Sequence, residues 1–227
     1  MIAAIVVAAG RGVRFGSDVP KQFLRMKSKP LLSYSLLTFE RHAAVDLIVL
    51  VAAPEWKSYI EQEIIRRFEI RKVAAIIPGG AARQDSVAAG LSVVSEVYEF
   101  VAVHDAVRPF FSTHVLDRVI AGCRSVDACI PTIALRDTVK QVEENLIVRT
   151  VPRETLRLAQ TPQVFRRTVL IEAFQHAKRN NFLGTDEASL IEAAGGRAVW
   201  VEGEEKNLKI TTPLDLKIAE IILEGNA

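Results

Sequence analysis

Arg14, Lys21 and Lys209 supply fixed positive charge, and Asp105 closes an otherwise apolar run; together they set the chemical question this chain poses. The first two lie in "AAGRGVRFGSDVPKQF", where an apolar run stops at Gly10 and passes into glycines and basic residues. Gly10 and Gly12 let backbone N–H groups approach a ligand closely, and the two cations add charge, so the segment reads as an anion cradle. It lacks the G-x-x-x-x-G-K-[ST] spacing of a Walker loop. With Gly16 one place late, it also lacks the G-x-G-x-x-G of a dinucleotide site. A glycine-rich surface turn with solvated arginines would read the same way in isolation.

Three other segments carry unusual chemistry. In "VAVHDAVRPF", Asp105 sits where a buried strand meets its loop, and Arg108 follows three residues later. A carboxylate there can hold Mg2+, which takes one or two protein carboxylates plus substrate phosphates; an Asp-Arg pair closing a turn is the alternative. His104 has no second histidine beside it and is expected to pack or hydrogen-bond rather than to ligate. In "GGAARQDSVAAG", Gly79 and Gly80 form a turn, and Asp85 or Ser86 can cap a helix or meet a ligand base. In "NLKIT", Lys209 stands alone in an apolar run, which calls either for an anionic partner or for an edge position from which it reaches water. Cations to spread over phosphate oxygens and a carboxylate for a metal are what a nucleoside triphosphate requires.

The elements that must position these residues alternate. Ile2 to Ala8, "DLIVLVAA", "KVAAIIPGG", "EFVAVHDA" and "DACIPTIAL" are short, β-branched, almost continuously apolar runs, the pattern of strands buried on both faces. Helical spacing separates them over Leu31 to Phe39, from Pro54 to about Phe68, and over "RQDSVAAGLSVVSEV". The alternation predicts an α/β fold, a mostly parallel twisted sheet flanked by helices, whose ligands bind at the loop-bearing strand ends. After Leu135 the rhythm breaks. "RDTVKQVEENLIVRTVPRETLRL" has two β-prone runs about the turn "EEN", with charge at alternate positions, and predicts a protruding β-hairpin over about residues 136–158. Helices over "RTVLIEAFQHAKRN" and "DEASLIEAAG", strands at "AVWVEG" and "NLKIT", and a helix from Pro213 complete the reading.

Composition narrows the function further. The chain has 227 residues, 49% of them hydrophobic, which suits one globular domain over residues 1–227. A net charge of +2 with no basic stripe gives no footprint for nucleic acid, so none is expected as a partner. No run reaches the roughly 18 apolar residues of a membrane span, and no membrane partner is expected. Two cysteines, Cys123 and Cys129, are too few for a disulfide framework and fit a reducing, cytoplasmic setting.

In order and spacing, "AAGRGVRFGSDVPKQF", "GGAARQDSVAAGL", "HDAVRPF", "TPQVF", "TDEASLIEAAG" and "VEGEEKNLKITTPLDL" resemble the 2-C-methyl-D-erythritol 4-phosphate cytidylyltransferases of the non-mevalonate isoprenoid pathway. The likeness spans essentially the whole chain. It implies a Rossmann-like nucleotidyltransferase fold, a homodimer joined by hairpin arms, Mg2+, and transfer of CMP from CTP to a polyol phosphate. Carried over residue by residue, it puts CTP phosphates on Ala8, Ala9, Gly10 and Gly12 and on Arg14, Lys21 and Lys209, which act as catalytic cations. The nucleoside falls to Gly79, Gly80, Ser86, Ala106 and Arg108, and the metal to Asp105. The acceptor falls to Asp105, Thr161, Thr185 and Lys209, with Thr138 and Arg153 from the other subunit's arm. Ala81 and Ala82 depart from the pattern, since acidic residues often follow the Gly-Gly pair in this family. Ribitol 5-phosphate cytidylyltransferases share nearly every nucleotide-side motif and differ at the acceptor pocket and arm. A nucleotide-binding module without transferase activity fits less well, given the incomplete glycine fingerprint and the surplus of cations. A sugar-nucleotide pyrophosphorylase fits "HDAVRP" and "TPQ" less well, and a fused cyclodiphosphate synthase would need some 150 further residues.

Overall fold

Apolar side chains at successive positions of a strand require cover on both faces, and the computed structural model, which describes residues 1–10 and 19–225, supplies it. In chain order the first elements are β1 (Ile2–Ala8), β2 (Arg25–Met26), β3 (Lys29–Pro30), α1 (Leu31–Arg41), β4 (Leu47–Ala52) and α2 (Lys57–Tyr59). Then come β5 (Val73–Pro78), α3 (Arg83–Ser92), β6 (Phe100–Asp105), α4 (Thr113–Cys123), β7 (Ala128–Ala134), β8 (Val139–Glu143) and β9 (Leu146–Val151). The last are β10 (Arg157–Ala159), β11 (Gln163–Arg166), α5 (Arg167–Arg179), α6 (Glu187–Ala193), β12 (Ala198–Glu202) and α7 (Pro213–Gly225). Short helix α2 is extended by a 3-10 turn at Pro54–Trp56 and by π-helix at Ile60–Arg66, so the helical segment expected from Pro54 changes pitch twice.

The main sheet runs β10-β7-β11-β6-β1-β4-β5, with β12 also pairing β7. β1 is parallel to β4 and β6, and β4 to β5. β11 runs antiparallel between β6 and β7, so the sheet is mixed at a place that no periodicity in the sequence marks. Ile2, Ala4, Val6 and Ala8 enter a core with Leu32, Leu36 and Phe39 of α1 and Leu116 and Val119 of α4. Ala3 and Ile5 enter the opposite core with Val87 and Leu91 of α3 and Leu170 of α5. Period-2 alternation thus divides one apolar strand between two helical layers. On the second face α3 approaches so closely that a Cβ at Gly90 would stand 2.6 Å from Ile5 Cγ2.

Along β5-β4-β1-β6 the chain winds outward from β1 in one direction and then reverses. The reversal lies between β1 and β6, and the rule for open α/β sheets puts the ligand crevice at the carboxyl ends of those two strands. They end at Ala8 and Asp105. One expectation changes. "NLKIT" is not a strand: residues 207–211 pair with no ladder and are held by buried Asn207 and Ile210, the latter donating its N–H to Val107 O at 2.9 Å. The β8–β9 pair forms a sheet of its own, exposed over residues 140–150. Gly12 and Arg14 lie outside the described residues. Among the described residues, no helix is long and apolar enough to cross a membrane.

Candidate active site

At the reversal point lies a cleft of about 450 Å³ lined by Ala8, Ala9, Gly10, Lys21, Gly80, Ser86, Asp105, Ala106 and Lys209, among others. Lys21 and Lys209 therefore share one cavity. Beside it is a smaller compartment of about 180 Å³, whose walls include Arg108, Gln160, Thr161, Gln163, Thr185 and Asp186. Arg83, Asp105 and Lys209 line both. Gly79 stands behind the cleft, where a Cβ would lie 2.3 Å from that of Ala9.

Asp105 is the hub of this boundary. Its Oδ2 accepts from Lys209 Nζ at 2.7 Å, its Oδ1 accepts from Arg83 Nε at 3.0 Å, and Arg108 Nε lies 3.9 Å from Oδ2. Lys209 thus has its anion within the chain itself, and the Asp105–Arg108 contact is the loosest of the three. Burial alone would raise the Asp105 carboxyl. Arg83 and Lys209 more than offset it and hold the group well below the usual carboxylate range. Glu187 shows the converse. It is 1% exposed and accepts from Arg83 Nη1 at 2.7 and 3.0 Å, yet burial outweighs this single cation and its carboxyl is pushed up. Three cations around one carboxylate, against one around the other, decide the opposite signs.

His104, fully buried, fastens the Asp105 turn. Arg108 O can only accept, so His104 Nε2, 3.1 Å away, carries the proton. Nδ1 then accepts from Thr161 Oγ1 at 2.9 Å, and that oxygen in turn accepts the Asp105 N–H at 3.1 Å. Burial pushes this imidazole down to about 3, so it is neutral, as a packing histidine should be. The hydroxyl of Thr161 is committed to this chain of hydrogen bonds. Ser86 Oγ accepts from Gly80 N–H and donates to Ala82 O, both at 3.1 Å, so it braces the Gly-Gly turn rather than capping α3. Asp85 holds the helix start through Ala82 N–H at 2.9 Å. Arg108 is fixed by its Nη1 donating to Asn207 O at 2.8 Å, its buried Nε makes no hydrogen bond, and Thr185 is exposed at the rim of the small compartment. Thr138 and Arg153 line neither compartment and are exposed at the base of the β8–β9 hairpin.

Four side chains that line or brace the cleft escape the sequence reading: Arg83, Glu187, Asn207 and Gln22. For Arg83 a signal exists, since a cation in the first turn of α3 opposes the helix dipole and implies a compensating anion. No group of three His, Cys, Asp or Glu side chains able to hold a metal exists among the described residues. Asp105 is ionised and faces the cleft with Oδ1 on Arg83 and Oδ2 on Lys209, so a hard cation there would share the carboxylate with these two side chains and take its remaining ligands from a substrate's phosphates.

Residues 2–225 match the family model for 2-C-methyl-D-erythritol 4-phosphate cytidylyltransferase. The chain belongs to this family. The Geobacillus kaustophilus cytidylyltransferase is 42% identical over 220 residues, 97% of this chain and 96% of that one. Its counterpart from Geotalea uraniireducens is 39% identical over 226 residues, 99% and 97% of the two chains. Among solved structures, the Thermus thermophilus cytidylyltransferase superposes with a TM-score of 0.80 at 33% identity, covering 99% of this chain and all of that one. The Anaerococcus prevotii 4-diphosphocytidyl-2C-methyl-D-erythritol synthase gives a TM-score of 0.86 at 28% identity, with 98% of each chain covered. The cytidylyltransferase family thus accounts for the nucleotidyltransferase fold and the cleft at the β1/β6 reversal. The ribitol phosphate reading is not favoured, because these relatives carry the methylerythritol phosphate name.

Proposed function

We propose that this chain transfers CMP from CTP to 2-C-methyl-D-erythritol 4-phosphate and releases pyrophosphate. The observation that carries the reading is that Arg83, Asp105 and Lys209 line both compartments. CTP occupies the larger one, with its phosphates on Ala8, Ala9, Gly10, Gly12, Arg14 and Lys21 and its nucleoside toward Gly79, Gly80, Ser86 and Ala106. The acceptor occupies the smaller, against Thr161 and Thr185, and its phosphate meets the α-phosphate at the shared wall; Arg108, expected on the nucleoside, lines this smaller compartment and not the larger one.

An acceptor phosphate oxygen, ionised at neutral pH, attacks the α-phosphorus in line; the new O–P bond forms as the bond to pyrophosphate breaks. No proton must be removed, so the protein's task is to bring two polyanions together and stabilise the added charge. Lys21, Lys209 and Arg14 do so. Mg2+ carried by the triphosphate and held by Asp105 would neutralise phosphate charge. Thr138 and Arg153 reach the acceptor of a second subunit through an arm at residues 136–158 of a single 1–227 domain, in a cytoplasmic homodimer. Exposed Val142, Leu146, Ile147 and Val148 on that arm support the dimer, because they are large apolar side chains with nothing over them in one protomer.

The test is pyrophosphate release from CTP with each polyol phosphate in turn. Lys21→Ala and Lys209→Ala should each lower turnover roughly a hundredfold, the usual effect of losing one preorganised donor, while the fold persists. Near-normal rates in both variants, or faster turnover with ribitol 5-phosphate, would overturn the reading.

A further inference from the structure

Three consecutive residues, Lys21, Gln22 and Phe23, form a 3-10 turn. Lys21 and Gln22 both line the cleft. Phe23 is buried on the outer side, stacked on Trp56 at a centroid distance of 4.5 Å and edge-on to Tyr59 at 5.6 Å. Gln22, 3% exposed, turns the other way: its Nε2 donates to Ala8 O at 2.6 Å and to Gly10 O at 3.0 Å. Both donors of one amide are thus spent on the carbonyls that end β1. In a planar trans peptide the C=O and the following N–H point to opposite edges. The Ala8 carbonyl drawn toward Gln22 therefore turns the Ala9 N–H away from it.

We infer that Gln22 is a positioning residue for the nucleotide triphosphate: it ties the exit of β1 to the Lys21 turn, and so sets the spacing and direction of the Ala9 N–H relative to the Lys21 ammonium. The inference rests on the phosphate role of Lys21 proposed above. Glutamine has the reach and the two donors the tie needs. Asparagine is one methylene short, glutamate sets acceptor oxygens against carbonyl oxygens, and methionine keeps the bulk without a donor. The aromatic anchor at Phe23 holds the turn against the body of the protein, leaving the Gln22 hydrogen bonds to fix its orientation toward β1.

A double-mutant cycle decides it. Gln22→Met should raise KM for CTP and lower kcat, for about a tenfold or larger loss of kcat/KM, while KM for the polyol phosphate stays within twofold and the melting temperature changes little. In the Lys21→Ala background the same substitution should have under a threefold further effect, because residues acting through one another are non-additive. Gln22→Glu should reproduce the CTP defect. Wild-type CTP kinetics in Gln22→Met beside a crippled Lys21→Ala would overturn the inference and leave the Lys21 reading intact. Effects that simply multiply would overturn it too, as would the failure of both Gln22 variants to fold, which would make the residue a purely structural tie. Normal turnover in Lys21→Ala would instead remove the reading on which the inference stands.

Discussion

The surroundings of Asp105 and the β8–β9 hairpin are both charged, yet charge is used in opposite ways. Around Asp105 each charged side chain has partners from distant parts of the chain, Arg83 reaching Glu187 across 104 positions, and the carboxylates are almost wholly buried. On the hairpin, Lys140 pairs with Thr150 and Arg149 with Gln141, all of them exposed neighbours on the same two strands. Removing a charge from the first region strands another in low dielectric. In the second region water replaces whatever is lost. The cleft therefore couples function to folding, whereas the hairpin leaves them separable.

The sharpest break of this contrast is Arg83→Met. It leaves the Glu187 carboxylate buried without a cation and removes the donor from Asp105 Oδ1. A loss of about 3 kcal/mol is expected, as for other broken buried pairs. For a chain of this size that lowers the melting temperature by roughly 6–12 °C. Turnover should fall as well. A melting temperature within about 2 °C of wild type, measured by calorimetry, would mean that the cleft charges are as separable as those of the hairpin.

Smaller but more selective is the effect of pH. His104 is held at about 3 in the folded chain, against 6.5 for the unperturbed group. Its neutral form is the folded one, so its contribution is complete above about pH 6.5 and is lost as pH falls toward 3. Between pH 6 and 5 it should weaken folding by about 1 kcal/mol. Asp105 acts in the same direction but only below the ordinary carboxylate value, so the two windows separate. Urea midpoints for wild type and His104→Gln at pH 6 and 5 measure the difference. An equal drop in both proteins would show that the imidazole is not the group responsible.

The same division governs what can be read from sequence. β1, β4 and β6 are legible because burial on both faces leaves an unbroken apolar signature, edge strand β5 keeps an apolar run though it is only half-buried, and the ends of β1 and β6 mark where Lys21, Asp105 and Lys209 converge. β11 is not, since four residues inserted antiparallel between two longer strands carry no period of their own. Helix α4 escapes the reading despite a clear start signal, Ser112 accepting the Val115 N–H at 3.1 Å. Lys209 is recognisable as a cation out of place in an apolar run but not as a loop residue, because an apolar segment held by side-chain anchors looks in sequence like one held by a ladder. Glu187 is hidden for a physical reason: a buried carboxylate is recognisable only through its partner, and Arg83 lies far away in the chain.

Least costly to the fold, and most informative about the hairpin, is Arg153→Ala. The side chain is half-exposed and its guanidinium donates to the Arg136 carbonyl, so the melting temperature should barely move, within about 0.5 kcal/mol of stability. If the arm serves the partner's acceptor site, turnover nevertheless falls, and KM for the polyol phosphate rises while that for CTP does not. Mixing then distinguishes the two possible destinations of the arm. On that reading Arg153→Ala and Lys209→Ala subunits are each strongly impaired when paired with themselves. In a mixed two-fold dimer, the site that keeps Lys209 receives Arg153 from its neighbour, so one of the two sites is whole. Random exchange at equal concentrations makes half the dimers mixed and restores about a quarter of wild-type activity. An arm folded onto its own subunit gives no such recovery, because the mixed dimer then holds one site lacking Arg153 and one lacking Lys209.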